Sequence, residues 1–434
     1  MTRPTDNRTA LTHSLIPGGA HTYSKGDDQF PANAPRYLER GVGARVWDDL
    51  GNGFIDWTMG LRSMSLGYGI EPVIEAAVAQ IRRGSNFGRP SFIETEYAGK
   101  LVELFPSAEM VKFAKNGSTV TSAAVKLARA YTGRDYVAFC KDHPFFSYDD
   151  WFIGTTACDA GIPSAFGAYS LPFRYNDLRS LEFQFETHPQ GIACVIMEAA
   201  TGGPPSEGFL LGVQALCRKY GAMFILDEMI TGFRWHLNGA QTFYGLDPDM
   251  ATFGKGMANG FAVAALVGRR EVMDLGGIHH DRGRVFLIST THGAENHALA
   301  AGMATVDFYR QNPVIEHIWS VGARVIEGLN ALAREAGIDA YFEASGYPCS
   351  PGYVTRDKDG NVSLALRTLV LQEMAKKGII FNYLAPSWSH GEDEINATLE
   401  AARSVLATYR NALVDGVERF LEGPAIKPVF RKFN

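Results

Sequence analysis

The chain has 434 residues, which at about 150 residues per domain suggests two or three folding units. Apolar types make up 46% and charged types 20%, the mix of a globular protein with a real core rather than a fibrous or disordered one. Lys and Arg number 41 against 47 Asp and Glu, for a net charge of −6, too mildly acidic to suggest a nucleic-acid or anionic-membrane surface. The longest uncharged apolar run, residues 261–268, falls well short of the about 20 residues that span a bilayer. The first residues carry no apolar signal-peptide core. Cys140, Cys158, Cys194, Cys217 and Cys349 are odd in number, widely spaced and partly set in apolar runs, with no CxxC pair. Reduced, mostly buried thiols in a cytoplasmic protein are expected, without a metal site.

In chain order, residues 1–36 read as loop, punctuated by PGG at 17–19 and PANAP at 31–35. Residues 44–58 read as a hairpin turning at Gly51, Asn52 and Gly53. From about 70 to 310 the pattern alternates between strands and helices. Val120, Ala123, Ala124, Leu127, Ala128 and Tyr131 share one helical face, and Gly133 supplies a stop. Residues 136–140, 191–197, 222–226 and 261–267 are short, almost continuously apolar runs, the signature of strands buried on both faces of a mostly parallel sheet. After about 315 two helical segments (315–336 and 364–377) and a longer last one (393–413) surround shorter strands. The expected fold is α/β, with a large domain at 66–314. A smaller α+β domain at 315–434 is expected to take in the hairpin-bearing segment 1–65.

In an open α/β sheet, ligands sit beyond the carboxyl ends of the strands. Residues 116–119 (NGST) precede the helix 120–131; small residues and free N–H groups at a helix start suit a phosphate, and equally an ordinary Ser or Thr cap. Asp227 and Glu228 end an apolar strand. Buried acids there either pair with neighbours or hold a cationic ring nitrogen. Lys255 lies in TFGKG (252–256), as a solvated loop lysine or as an amine able to form a Schiff base. Thr290, Thr291, His292 and Gly293 precede a further helix and repeat the phosphate-friendly composition. Each signal alone is weak; their order is not.

The run DEMITGFR at 227–234, followed by FGKG at 253–256, resembles the signature of class III, fold-type I pyridoxal-phosphate aminotransferases, and within them the glutamate-1-semialdehyde aminomutase-like branch. The resemblance extends through residues 17–19, the hairpin 47–57, residues 116–119 with LARAYTGR at 127–134, Glu198, Thr291 and residues 300–302. It implies pyridoxal 5'-phosphate held on Lys255, which then moves a proton on the substrate. Asp227 would keep the ring nitrogen protonated. Gly117, Ser118 and Thr119 would cradle the phosphate, with Thr291 reaching it from the second subunit of a homodimer. Phe146 would stack on one ring face, Ile230 on the other, and Glu198 would border the substrate side.

Three departures bear on the substrate. The family's aminomutases read Ser-Gly-Thr where this chain has Gly117, Ser118 and Thr119, and Tyr-His-Gly near its Phe145, Phe146 and Ser147. They also carry a carboxylate-binding arginine where this chain has Lys25, a point charge without a bidentate fork. Tyr23 and Lys25 on one segment, with Tyr148 and Asp149 on another, line up aromatic platforms, carboxylates and hydroxyls. As function-bearing and plain solvated loops share that composition, two readings stand: solvent, or a hydroxyl-rich or cationic substrate. Both segments resemble those of aminotransferases that act on sugar or aminocyclitol carbonyls in aminoglycoside and surface-polysaccharide pathways. The expectation is a transaminase using L-glutamate and such an acceptor. Alternatives are the aminomutase itself and a catalytically silent relative.

Overall fold

The computed structural model describes residues 4–200 and 203–433. The chain divides into two compact units. One comprises Met1–Leu61, Leu66–Ile70 and Glu316–Asn434; the other comprises Arg62–Ser65 and Glu71–Ile315. In chain order the strands are β1 (Leu38–Val42), β2 (Arg45–Asp48), β3 (Gly53–Asp56), β4 (Met110–Ala114), β5 (Tyr136–Cys140), β6 (Ser170–Phe173), β7 (Ile192–Glu198), β8 (Met223–Asp227), β9 (Met250–Phe253), β10 (Ala264–Gly268), β11 (Phe342–Tyr347), β12 (Ser350–Thr355) and β13 (Ile379–Ile380).

The larger unit is built on a seven-stranded sheet in the order β4-β10-β9-β8-β7-β5-β6. Its strands β6, β5, β7, β8 and β9 run parallel, while β10 is antiparallel to both its neighbours. Every residue of β7 is buried, as expected for a central strand covered on both faces. The helix Gly117–Thr132 packs on β4, β7, β8, β9 and β10. Its start is capped by Asn116 and its end by Gly133 at φ +67°, where an L side chain would be strained. Residues 261–263, read as part of a strand, belong instead to the turn before β10; Asn259 and Gly260 both have positive φ and delay its start.

In the smaller unit β3 pairs antiparallel with β2 and parallel with β13, so residues from both ends of the chain share one four-stranded sheet. Its core gathers Trp57, Val325, Leu329, Phe342, Leu369 and Tyr409. Trp57 stacks on His390 at 4.1 Å and donates from Nε1 to Thr398 Oγ1 at 2.9 Å.

The N-terminal segment read as loop contains a helix, Pro4–Leu15. The sequence hides it because it has no apolar face: Leu11 and Leu15 are both exposed, so no 3.6-residue periodicity marks it. Four of the five cysteines are buried and Cys158 is exposed. No helix among the described residues is long and apolar enough to cross a membrane.

Candidate active site

β7 and β8 end side by side with Glu198 opposite Asp227 in register. Asp227 is 1% exposed. Both hydrogen bonds it accepts, from Met229 N at 2.9 Å and Thr252 Oγ1 at 3.2 Å, fall on Oδ1, which leaves Oδ2 for a ligand. Burial first, and then the Glu198 charge, push its carboxyl well above the ordinary aspartate value. A carboxylate in that position needs a cation or a proton.

Glu228 is equally buried but answers a different need. It accepts from Thr231 Oγ1 at 2.6 Å, Ala240 N at 2.7 Å and Gln241 N at 2.9 Å, so it anchors the start of the helix Gly239–Tyr244. The two adjacent acids read from the sequence therefore differ: Asp227 accepts within the protein on Oδ1 alone, whereas both oxygens of Glu228 serve the architecture.

Lys255 follows β9 at φ +42°, an unusual left-handed conformation for a residue with a side chain. It opens the turn Lys255–Ala258, which closes on Asn259, also left-handed. Burial pulls its ammonium below the ordinary lysine value. Glu198 and Asp227 work against that shift, and the guanidinium groups of Arg62 and Arg234 reinforce it. An amine that sheds its proton easily can attack a carbonyl.

At the start of the helix Gly117–Thr132, Asn116 Oδ1 takes both the Thr119 N–H (3.0 Å) and the Thr119 hydroxyl (3.1 Å). Ser118 Oγ accepts from Tyr148 N at 3.1 Å. The cap is thus Asn116 rather than a serine or threonine. The Thr119 donors that composition offered to a phosphate are engaged within the protein. The Gly117 and Ser118 N–H groups belong to the first turn, which has no intrahelical acceptors, and these suit an anion.

Met229 links the acid, the helix start and the lysine turn. A Cβ placed on Gly117 would stand 2.8 Å from its sulfur, and one on Gly254 would stand 2.7 Å from it. Sequence reasoning passed over Met229 for Ile230, because a methionine two residues after a strand-end acid carries no signal by itself. Gly117→Ala forces this methionine out of its seat between the glycines. Overpacking of this kind costs roughly 1–3 kcal/mol, so the variant should melt at a lower temperature than the unsubstituted protein, as read by thermal denaturation.

Phe146 is 2% exposed, whereas Phe145 beside it is 44% exposed. Phe146 sits edge-on to Phe152 at 5.5 Å, and its carbonyl takes the Thr121 hydroxyl at 2.8 Å. Next to them lies His143, which the sequence reading missed. Its Nδ1 accepts from Glu198 N at 3.1 Å, and burial lowers it to about 4, so the ring stays neutral. Tyr148 is 58% exposed, with its hydroxyl 3.5 Å from Thr119 Oγ1; the N–H of half-buried Asp149 donates to Ser147 Oγ. Thr291 is exposed, and its carbonyl accepts from Asn86 Nδ2. Tyr23 and Lys25 form an exposed turn of the other unit.

A buried acid with a spare oxygen, a readily neutralised amine and a pair of helix-start N–H groups fit a phosphorylated pyridine aldehyde. The comparisons agree. The model of the class-III aminotransferase family matches residues 25–387. Among solved structures, the FumI protein of Sphingopyxis sp. MTA144 in its PLP internal aldimine form is 25% identical, with 94% of this chain and 97% of that one covered at a TM-score of 0.86. An omega-transaminase from Sphaerobacter thermophilus is 24% identical, covering 94% and 98% with a TM-score of 0.83. A glutamate-1-semialdehyde aminomutase from Pseudomonas aeruginosa PAO1 is 20% identical, covering 94% and 95% with a TM-score of 0.81. The chain belongs to the class-III aminotransferases and has the fold-type I architecture. It is a pyridoxal-phosphate-dependent transaminase.

Proposed function

We propose that this transaminase carries an amino group from L-glutamate to a carbonyl on a sugar- or aminocyclitol-like acceptor, in aminoglycoside or surface-polysaccharide biosynthesis. It works in the cytoplasm as a homodimer with shared active sites. The cofactor, when bound, supplies the electron sink that allows a C–H bond beside the substrate amine to break. Lys255 holds it and then shuttles the proton through its Nζ. Asp227, through Oδ2, would accept from the ring nitrogen of the bound cofactor and hold it protonated. The Gly117 and Ser118 N–H groups, beside Thr119, hold the phosphate, and the partner subunit's Thr291 completes the cup. Phe146 would cover one ring face, and Ile230, next to Met229, would support the other. Glu198, beside Asp227, borders the substrate.

The choice of acceptor rests on the turn at Tyr148 and Asp149. An exposed phenol and a carboxylate beside the phosphate cup suit hydroxyl groups. Lysine at 25 is a poor substitute for the bidentate arginine that an aminomutase uses on its substrate carboxylate. The pyridoxamine form of the enzyme, incubated with a panel of oxidised sugars, keto acids and semialdehydes, tests this directly. Recovery of the visible absorption band with oxidised sugars or aminocyclitol ketones is expected. Recovery only with 2-keto acids and glutamate-1-semialdehyde would rule the carbohydrate acceptor out and favour the aminomutase.

A further inference from the structure

Residues 59–62 (MGLR) make a left-handed turn: φ is +44° at Met59, +56° at Gly60, +59° at Leu61 and +69° at Arg62. Only one of the four is glycine, so three L side chains within one turn occupy a conformation that they avoid even singly. Strained backbone of this kind clusters where a side chain has to be aimed. The turn ends on Arg62, and the larger unit takes only Arg62–Ser65 from the first 70 residues.

That tetrapeptide is fastened to the lysine turn. Ser65 Oγ donates to the Gly256 carbonyl at 3.3 Å. Met64 fills the space above Gly260, where an added Cβ would stand 2.3 Å from its sulfur. Arg234, 2% exposed, donates from Nη2 to the Arg62 carbonyl at 3.2 Å and braces the strained peptide. Arg62 itself is half-buried, and its charge reaches the Lys255 amine. Guanidinium is the side chain whose planar fork matches a carboxylate bidentately.

We propose that Arg62, aimed by the left-handed turn and braced by Arg234, binds the carboxylate of the amino donor beside Lys255. This rests on the reading that the donor is an amino acid. It gives the site a fork that Lys25 cannot supply, and it makes the enzyme prefer amines that carry an acid group over isosteric amines that do not.

The test compares L-alanine with isopropylamine, which replaces the carboxylate by a methyl group, as donors that bleach the visible band of the holoenzyme. Binding of succinate, which cannot react, is followed in parallel by calorimetry. Arg62→Ala should raise the half-saturating alanine concentration roughly 100-fold, the scale of charge-assisted hydrogen bonds, and leave isopropylamine within about twofold. Arg62→Lys should lose only about tenfold toward alanine and serves as the working variant if the alanine substitution does not fold. Succinate should bind the unmodified holoenzyme and not Arg62→Ala. Unchanged alanine or succinate binding in Arg62→Ala would overturn the assignment. So would equal loss toward both amines with no rescue by lysine, which marks a purely structural arginine. If neither L-glutamate nor L-alanine bleaches the unmodified enzyme, the donor reading fails, and the succinate titration still decides whether Arg62 binds carboxylates.

Discussion

Lys255→Ala is expected to abolish the visible absorption band of the purified holoenzyme and to lower turnover by at least about 10⁴-fold, the upper range for loss of a positioned acid–base group. Lys255 follows a glycine, sits at φ +42° and opens a turn that Asn259 closes in the same left-handed region. Such a backbone is held only where its surroundings over-determine it. Those surroundings include two acids and two guanidinium groups whose charges all reach the amine, while burial favours its neutral form. Removing the side chain takes away the only group in this cluster that can bond covalently to the cofactor's aldehyde. Alanine remains compatible with the short turn, so circular dichroism should report an intact fold. A normal absorption spectrum in this variant would show that another amine holds the cofactor.

Asp227→Ala should keep the lysine and part of the bound cofactor but lower turnover on the order of 10²–10³-fold, the scale seen when one preorganised electrostatic partner of a reacting centre is removed. Its Oδ1 is already taken by Met229 N and Thr252 Oγ1, so the carboxylate is fixed in orientation before any ligand arrives. Its neighbour Glu198 is paired with it in register across the two strands, which makes a second negative charge costly until a cation faces it. A separate effect follows for the protein without cofactor. Asp227→Asn relieves a buried like-charge contact, so its melting temperature should match or exceed that of the unsubstituted cofactor-free protein. Full turnover in Asp227→Ala would remove the aspartate from the electron-sink role.

Much of the large unit could be read directly from residue order. The helix Gly117–Thr132 and the apolar strands announce themselves because their burial repeats at 3.6 residues or is unbroken. The family signature at 227–234 and 253–256 then pointed to the acid that ends β8 and the amine that opens the turn after β9. Other features have no local signal. Pro4–Leu15 lacks an apolar face. Asp227 and Glu228 look alike in sequence, yet Asp227 ends β8 and accepts within the protein on Oδ1 alone, whereas Glu228 just beyond it turns to the helix Gly239–Tyr244. Phe145 and Phe146 are chemically identical neighbours that differ only in exposure. Met229 gains its importance from two glycines distant in sequence. The left-handed turn at 59–62 contradicts the local preference of three of its residues and is imposed by tertiary context, as departures of this kind at functional sites usually are.

Reduction of the holoenzyme with borohydride, followed by proteolysis and peptide mapping, would fix the attachment point covalently. A single pyridoxyl-modified peptide spanning residues 252–256, with the label on Lys255, is the predicted result. A label on any other lysine, or no adduct in enzyme purified with the cofactor present, would contradict it.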